Sequence, residues 1–178
     1  MNYALLGLFV FNYQGFLGSI LMMLSHGLVS SALFLCVGVL YDRYHTRTVY
    51  YIQGIVDFMP IFCLCFFFFI LSNIGFPGTL SFVGEFLVFI GILKFNSFLC
   101  LFCCLGMILS TVYSIWLYNR LCFGFLKNYI YNYSDLSLRE FLLFIPLAFF
   151  IIFLGICPAV ISDLINFFIL KQLYLIYI

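Results

Sequence analysis

Asn73-Ile74-Gly75-Phe76-Pro77-Gly78-Thr79-Leu80-Ser81-Phe82-Val83-Gly84-Glu85-Phe86 is the stretch on which the reading of this chain turns. Before it, an almost wholly apolar run begins at Pro60, a residue suited to a helix's first turn, and continues to Ile74. After it, Ser81 to Leu93 resumes the apolar pattern with a single carboxylate, Glu85, inside it. Gly75, Pro77 and Gly78 interrupt a helix, because proline removes a donor and crowds the preceding turn while glycine tolerates left-handed backbone. Each half is short for a hydrocarbon core of roughly 30 Å, and the two together would reach about 50 Å at about 1.5 Å per residue. The stretch therefore reads as one discontinuous membrane pass or as two short ones.

The rest of the chain decides that it lies in a membrane. Of 178 residues, 67% are hydrophobic and 7% charged, with a mean hydropathy of +1.27, far from the roughly one-quarter charged content of soluble domains. Phe16 to Tyr41, Phe98 to Phe123 and Phe141 to about Val160 are each long enough to span. Tyr3 to Phe11 is too short, and reads as the end of a helix whose beginning is missing. The expected fold is an all-α, polytopic transmembrane helix bundle with one broken helix over residues 1–160. A C-terminal interfacial or partner-facing helix follows over 161–178, where Asp163, Asn166, Lys171 and Gln172 punctuate the apolar residues.

Charge arbitrates between one broken pass and two short ones. A single broken pass puts Arg43, Arg47, Arg120, Lys127 and Arg139 on one side and Lys94 and Lys171 on the other, which is the positive-inside pattern. A net charge of +1 with no basic run excludes nucleic acid as a partner, leaving lipid and other membrane helices. The eight cysteines lie in or beside apolar runs without companion His or carboxylates, so they read as small hydrophobes and not as metal ligands. No Walker sequence, dinucleotide fingerprint or nucleophile triad occurs, and no residue is assigned to covalent catalysis. Abundant Phe and Tyr with scarce Ala suggest T-rich codons and an organellar genome.

Within the apolar spans two side chains titrate in a useful range, Glu85 and His26. Ionisable groups at membrane depth are costly, and they commonly mark proton or ion paths. Glu85 follows the helix break, where freed backbone groups need polar company, and Ser81 four residues earlier shares its helical face. The bland alternative is a carboxylate reaching toward an interface. His26 has Ser19 seven residues before it and Ser30 four after, so the three are expected to line one hydrated stripe. As a group that titrates near neutrality, His26 suits a proton relay, and packing is the equal alternative. Asp42, Arg43, His45 and Arg47 form a polar loop that reads as a solvated charge run, with a lipid phosphate or partner as the sharper alternative.

These stretches resemble a known family, the chain 4 antiporter-like subunit of respiratory NADH-ubiquinone oxidoreductase, complex I. The resemblance runs through Leu24-Ser25-His26-Gly27-Leu28-Val29-Ser30-Ser31-Ala32-Leu33-Phe34, Tyr41-Asp42-Arg43-Tyr44-His45-Thr46-Arg47, the glycine-proline break from Asn73 to Thr79, and Ser81-Phe82-Val83-Gly84-Glu85-Phe86. Weaker similarity covers Val112-Tyr113-Ser114 and Ser137-Leu138-Arg139-Glu140.

The resemblance implies helices 10 to 14 of that fold, its second inverted repeat, with Glu85 and His26 on the proton path. It implies proton translocation coupled to quinone reduction elsewhere, with FMN, iron-sulfur clusters and ubiquinone on other subunits and no cofactor on this chain. Other complex I membrane subunits are the implied partners, and a separate polypeptide, or the rest of a truncated chain, would supply the first repeat. The implied location is the mitochondrial inner membrane, with the arginine-rich loops toward the matrix and the C-terminus toward the intermembrane space. A free-standing cation/proton antiporter and a non-transporting scaffold subunit are the rival readings.

Overall fold

The computed structural model describes residues 1–124 and 134–166. Its helices are α1 (Asn2–Phe9), α2 (Tyr13–Tyr44), α3 (Pro60–Ile74), α4 (Leu80–Phe95), α5 (Ser97–Cys122) and α6 (Leu138–Ile156), with a 3-10 turn at Ile55–Asp57. No strand occurs among the described residues. α2, α5 and α6 are long and apolar enough to cross a membrane. α3 and α4 have 15 and 16 residues, about 23 Å each at about 1.5 Å per residue.

α2 is the spine, with 32 residues. α4 packs antiparallel on its first half, with Gly91 beside Gly15 and Gly84 beside Met22. α3 packs on its second half, where Ala32, Cys36 and Val39 share an apolar cluster with Phe62, Phe66 and Phe69. The start of α3 sits at the end of α2, because the Asp135 carboxylate accepts from the Ile61 amide at 2.9 Å while Arg43 of α2 donates to the Asp135 carbonyl at 3.1 Å. α3 and α4 therefore follow one another in the same direction along α2. They form a single broken pass, and two short passes are ruled out, since α4 would then have to fold back along α3.

α5 returns antiparallel to that pass. Its Cys100 and Cys103 pack against Val88 and Ile92 of α4, and its Leu121 and Cys122 join Ile55 and Cys63 at the opposite end. α6 starts beside Arg43 and ends level with the break, where Gly155 lies against the backbone of Gly78 to Leu80. The chain is helical again over 159–166. Ile161 and Ile165 pack on the Phe16, Leu17, Leu21 and Leu80 cluster, and Tyr13 donates to the Asn166 side chain. This first part of the expected tail helix thus runs along α2, while 167–178 lies outside the described residues. Arg43, Arg120 and Arg139 fall in helix turns at one end of the bundle and Lys94 in the last turn of α4 at the other. Lys127 and Lys171 lie outside the described residues.

The α1–α2–α4 seam is held by backbone approach, as membrane helices without a hydrophobic drive between them require. A Cβ on Gly18 would lie 2.7 Å from the Val88 amide nitrogen and 2.9 Å from the Gly84 carbonyl oxygen. Backbone cannot swing aside as a side chain can. Gly18→Ala is therefore expected to destabilise the fold by about 1–3 kcal/mol, the usual cost of overpacking. At Gly38, where a Cβ would meet nothing within 4 Å, alanine should instead be neutral or stabilising by a few tenths of a kcal/mol, about the helix-propensity gain. Thermal unfolding of the purified protein in detergent compares the two, and equal midpoints would contradict the seam.

Candidate proton-path site

The site is built on the break. At the end of α3, the Phe76 amide donates to the Leu71 carbonyl at 3.1 Å and the Gly75 amide to the Ser72 carbonyl at 3.3 Å, the two bonds of a Schellman cap with Gly75 in the left-handed conformation at φ +82°. A tight turn follows, closed by the Thr79 amide donating to the Phe76 carbonyl at 3.1 Å. Pro77 at its second position and Gly78 at its third, with φ +95°, are the signature of a type II turn. Thr79 then opens α4, its hydroxyl 3.0 Å from the Ser81 hydroxyl and donating to Phe76 at 2.7 Å. Ser81 donates across the gap to the Ser72 carbonyl and so ties the two half-helices together.

Glu85 emerges from the first turns of α4 directly beneath this junction, with its carboxylate against the bare Cα of Gly75. It stands between two cavities. One, of about 200 Å³, is the more polar of the two, with Tyr3, Ser25, His26, Ser72, Asn73, Ser81, Glu85, Ser110 and Tyr113 in its wall beside the apolar Met1, Met22 and Val29. The other, of about 310 Å³, is apolar and lies between α4 and α5, walled by Phe82, Phe86, Met107 and Thr111. At roughly 30 Å³ per water, the polar cavity has room for several. A carboxyl, an imidazole and hydroxyls around such a space are the components of a proton relay.

The structure thus brings Glu85, His26 and Ser81 into one cavity and leaves Ser19 and Ser30 out of it. The expected Ser19–His26–Ser30 stripe is corrected on this point. Seven residues carry Ser19 about 10 Å down the axis from His26, to a depth covered by Gly7 of α1, where it is fully buried and donates to the Phe16 carbonyl at 2.7 Å. Ser30 bonds the Gly27 carbonyl at 3.4 Å. Ser25, Ser72, Ser110 and Tyr113 occupy the places that those serines were expected to fill. Two of them were visible in outline, since Ser25 adjoins His26 and Ser72 adjoins the break, but their shared depth was not.

A second correction concerns Asp42, Arg43, His45 and Arg47. They are not one solvated loop. Asp42 and Arg43 belong to the last turn of α2, and His45 caps it with φ +52°. Asp42, His45 and Arg47 are exposed, Arg47 lying 5.0 Å over the Tyr41 ring. Arg43 turns inward. Its two terminal nitrogens meet both Glu140 oxygens at 3.0 and 2.8 Å, and it also donates to the Val39, Ser134 and Asp135 carbonyls. Glu140 in turn completes a capping box with Ser137 at the start of α6. A guanidinium with five donors suits this convergence of acceptors better than water does. The cluster lies about 25 Å from His26 along α2, so it anchors the bundle end and takes no part in the cavity.

Comparison with known proteins follows the same geometry. The transmembrane family described as NADH:quinone oxidoreductase/Mrp antiporter matches residues 1–111, a segment containing the break, Glu85, His26 and most of the cavity wall. The chain is 54% identical to NADH-ubiquinone oxidoreductase chain 4 of Chondrus crispus over 159 residues, covering 89% of this chain and 32% of that protein. Similarity extends to chain 4 of Marchantia polymorpha, 54% identical over 90% of this chain, and to NADH-quinone oxidoreductase subunit M of Rhodobacter capsulatus, 48% identical over 93%. The chain spans about a third of the length of these relatives, 32% to 33%. A chain of respiratory complex I from Thermus thermophilus shares the fold, with a TM-score of 0.83 over 90% of this chain and 34% of that one, at 24% identity. With more than half of its length matched, this membrane-embedded, all-α chain belongs to the NADH:quinone oxidoreductase/Mrp antiporter transmembrane family.

Proposed function

We propose that this chain is the second-repeat portion of a proton-translocating, antiporter-like membrane-arm subunit of NADH:ubiquinone oxidoreductase. The observation that carries the reading is Glu85, a carboxyl held at a helix break between a polar cavity shared with His26 and an apolar one. Similarity to chain 4 proteins and to a bacterial subunit M supports it. In this reading the chain moves protons in response to quinone reduction carried out in other subunits, where FMN, the iron-sulfur clusters and ubiquinone reside. Its partners are the other membrane subunits and lipid, with the first repeat supplied by a separate polypeptide or by the rest of a longer chain.

The proposed location is the mitochondrial inner membrane. The end holding Arg43, Arg47, Arg120 and Arg139 faces the matrix, in keeping with the positive-inside rule, and the C-terminus faces the intermembrane space. One experiment addresses these points together. An affinity tag placed after Ile178 is expected to be accessible in mitoplasts without detergent, and to recover NADH:ubiquinone reductase activity together with the first repeat, on a stoichiometric partner or on the same chain. A tag shielded until the membrane is dissolved would reverse the orientation. Recovery of a cation/proton exchange activity with no NADH oxidation would favour the free-standing antiporter instead.

A further inference from the structure

We infer that Gly75 is a positioning residue for the Glu85 carboxyl: the space that a side chain would fill on Gly75 is the seat in which the carboxylate rests. This rests on the reading of Glu85 as a proton-carrying group. A Cβ built on Gly75 would collide with Oε2 of Glu85 and stand 3.0 Å from its Cδ and 3.4 Å from Oε1. No other side chain crowds that position as closely.

The seat is fixed at both ends. Gly75 is locked by the two hydrogen bonds of the α3 cap, and Glu85 is carried on a helix whose start is tied to the same turn of α3 through Ser81 and the Ser72 carbonyl. The two backbones are held by the junction, so an added Cβ is accommodated at the flexible end of the Glu85 side chain, which has to swing away from Gly75. The seat also bears on which space the carboxyl serves, because Glu85 lines both cavities while Gly75 lines the apolar one. A methyl group on Gly75 would push the carboxyl out of that seat. The role of Gly75 is then distinct from that of Gly78, which also has positive φ but where a Cβ would meet nothing within 4 Å.

Gly78 supplies the reference. Gly75→Ala and Gly78→Ala both force alanine into left-handed backbone, and only the first adds a collision with Glu85. Proton translocation per NADH oxidised is measured in vesicles containing the intact complex, at matched assembly. Gly75→Ala is expected to fall on the order of tenfold below Gly78→Ala, in line with the loss that about 1 Å of misplacement of a reacting group can cause. Shortening the carboxylate should remove the collision and leave only the backbone strain, so Gly75→Ala combined with Glu85→Asp is expected to pump no worse than Gly78→Ala combined with Glu85→Asp. If Gly75→Ala instead blocks assembly, adding Glu85→Ala should restore assembly to the Gly78→Ala level.

Equal pumping by the two alanine variants, full additivity in the double variant, or no restoration of assembly would each overturn the inference. Glu85→Gln separates this failure from that of the underlying reading. If the Gln variant is inactive while Gly75→Ala matches Gly78→Ala, the proton-carrying role stands and the seat does not. If the Gln variant pumps normally, both fall.

Discussion

Replacing Glu85 by Gln is expected to leave assembly normal and to lower proton translocation on the order of a hundredfold, within the range that a positioned proton-transfer group contributes. Gln keeps the size of the side chain and its fit against Gly75, so packing at the break survives. What it loses is the exchangeable proton. Glu85→Asp keeps the carboxyl but draws it back by one methylene from the boundary of the two cavities, so part of the activity should remain. His26→Ala should cost less than either. The polar cavity of about 200 Å³ also presents Ser25, Ser110 and Tyr113, and a water held by those hydroxyls can take the place of an imidazole nitrogen. The measurement is protons moved per NADH oxidised in reconstituted vesicles at matched assembly. Near-normal pumping by the Gln variant would take Glu85 off the path and leave the chain a scaffold.

Arg43→Ala is expected to produce a large loss of stability, about 2–3 kcal/mol, as when one partner is removed from a partly buried, multiply bonded ion pair. The side chains of Arg43 and Glu140 are only 11% and 17% exposed. Alanine would strand the Glu140 carboxylate and leave the Val39, Ser134 and Asp135 carbonyls without the donor that now joins them. Three elements would loosen together, since Arg43 ends α2, Asp135 caps α3 and Glu140 opens α6. Arg43→Lys should recover little, because an ammonium cannot present the planar fork that meets both Glu140 oxygens. Arg43→Met with Glu140→Leu should recover most of the loss, since apolar replacement of a whole pair strands no charge. The heat-inactivation midpoint of the assembled protein reads all three. A midpoint for Arg43→Ala within a degree of the wild type would show that the pair holds nothing.

Both predictions turn on residues whose surroundings were legible to different degrees. The Gly75-Phe76-Pro77-Gly78 interruption was readable because helix caps and type II turns depend on local backbone chemistry, which neighbouring residues carry by themselves. Glu85 and His26 stood out because a titratable group in an oily run is costly wherever the run packs. The chemistry of Arg43 was not readable. Its partner lies 97 positions away at Glu140, and nothing near Arg43 separates an inward guanidinium from a solvated one.

Sequence alone, then, determined that this is a membrane bundle, that one pass is broken between Ile74 and Leu80, that its arginines gather at one end, and which two ionisable groups interrupt the apolar runs. These follow from hydrophobic run length, local turn chemistry and the cost of charge in hydrocarbon, all of them properties of adjacent residues. Tertiary structure decided which polar groups share a level. It drew Ser72, Ser110 and Tyr113 toward Glu85 and sealed Ser19 beneath α1, because helical periodicity assigns a residue to a face while only the offset between packed helices assigns it a neighbour across the gap. The glycine seam belongs to the same class, since a missing side chain acquires its meaning from the backbone that comes to lie against it.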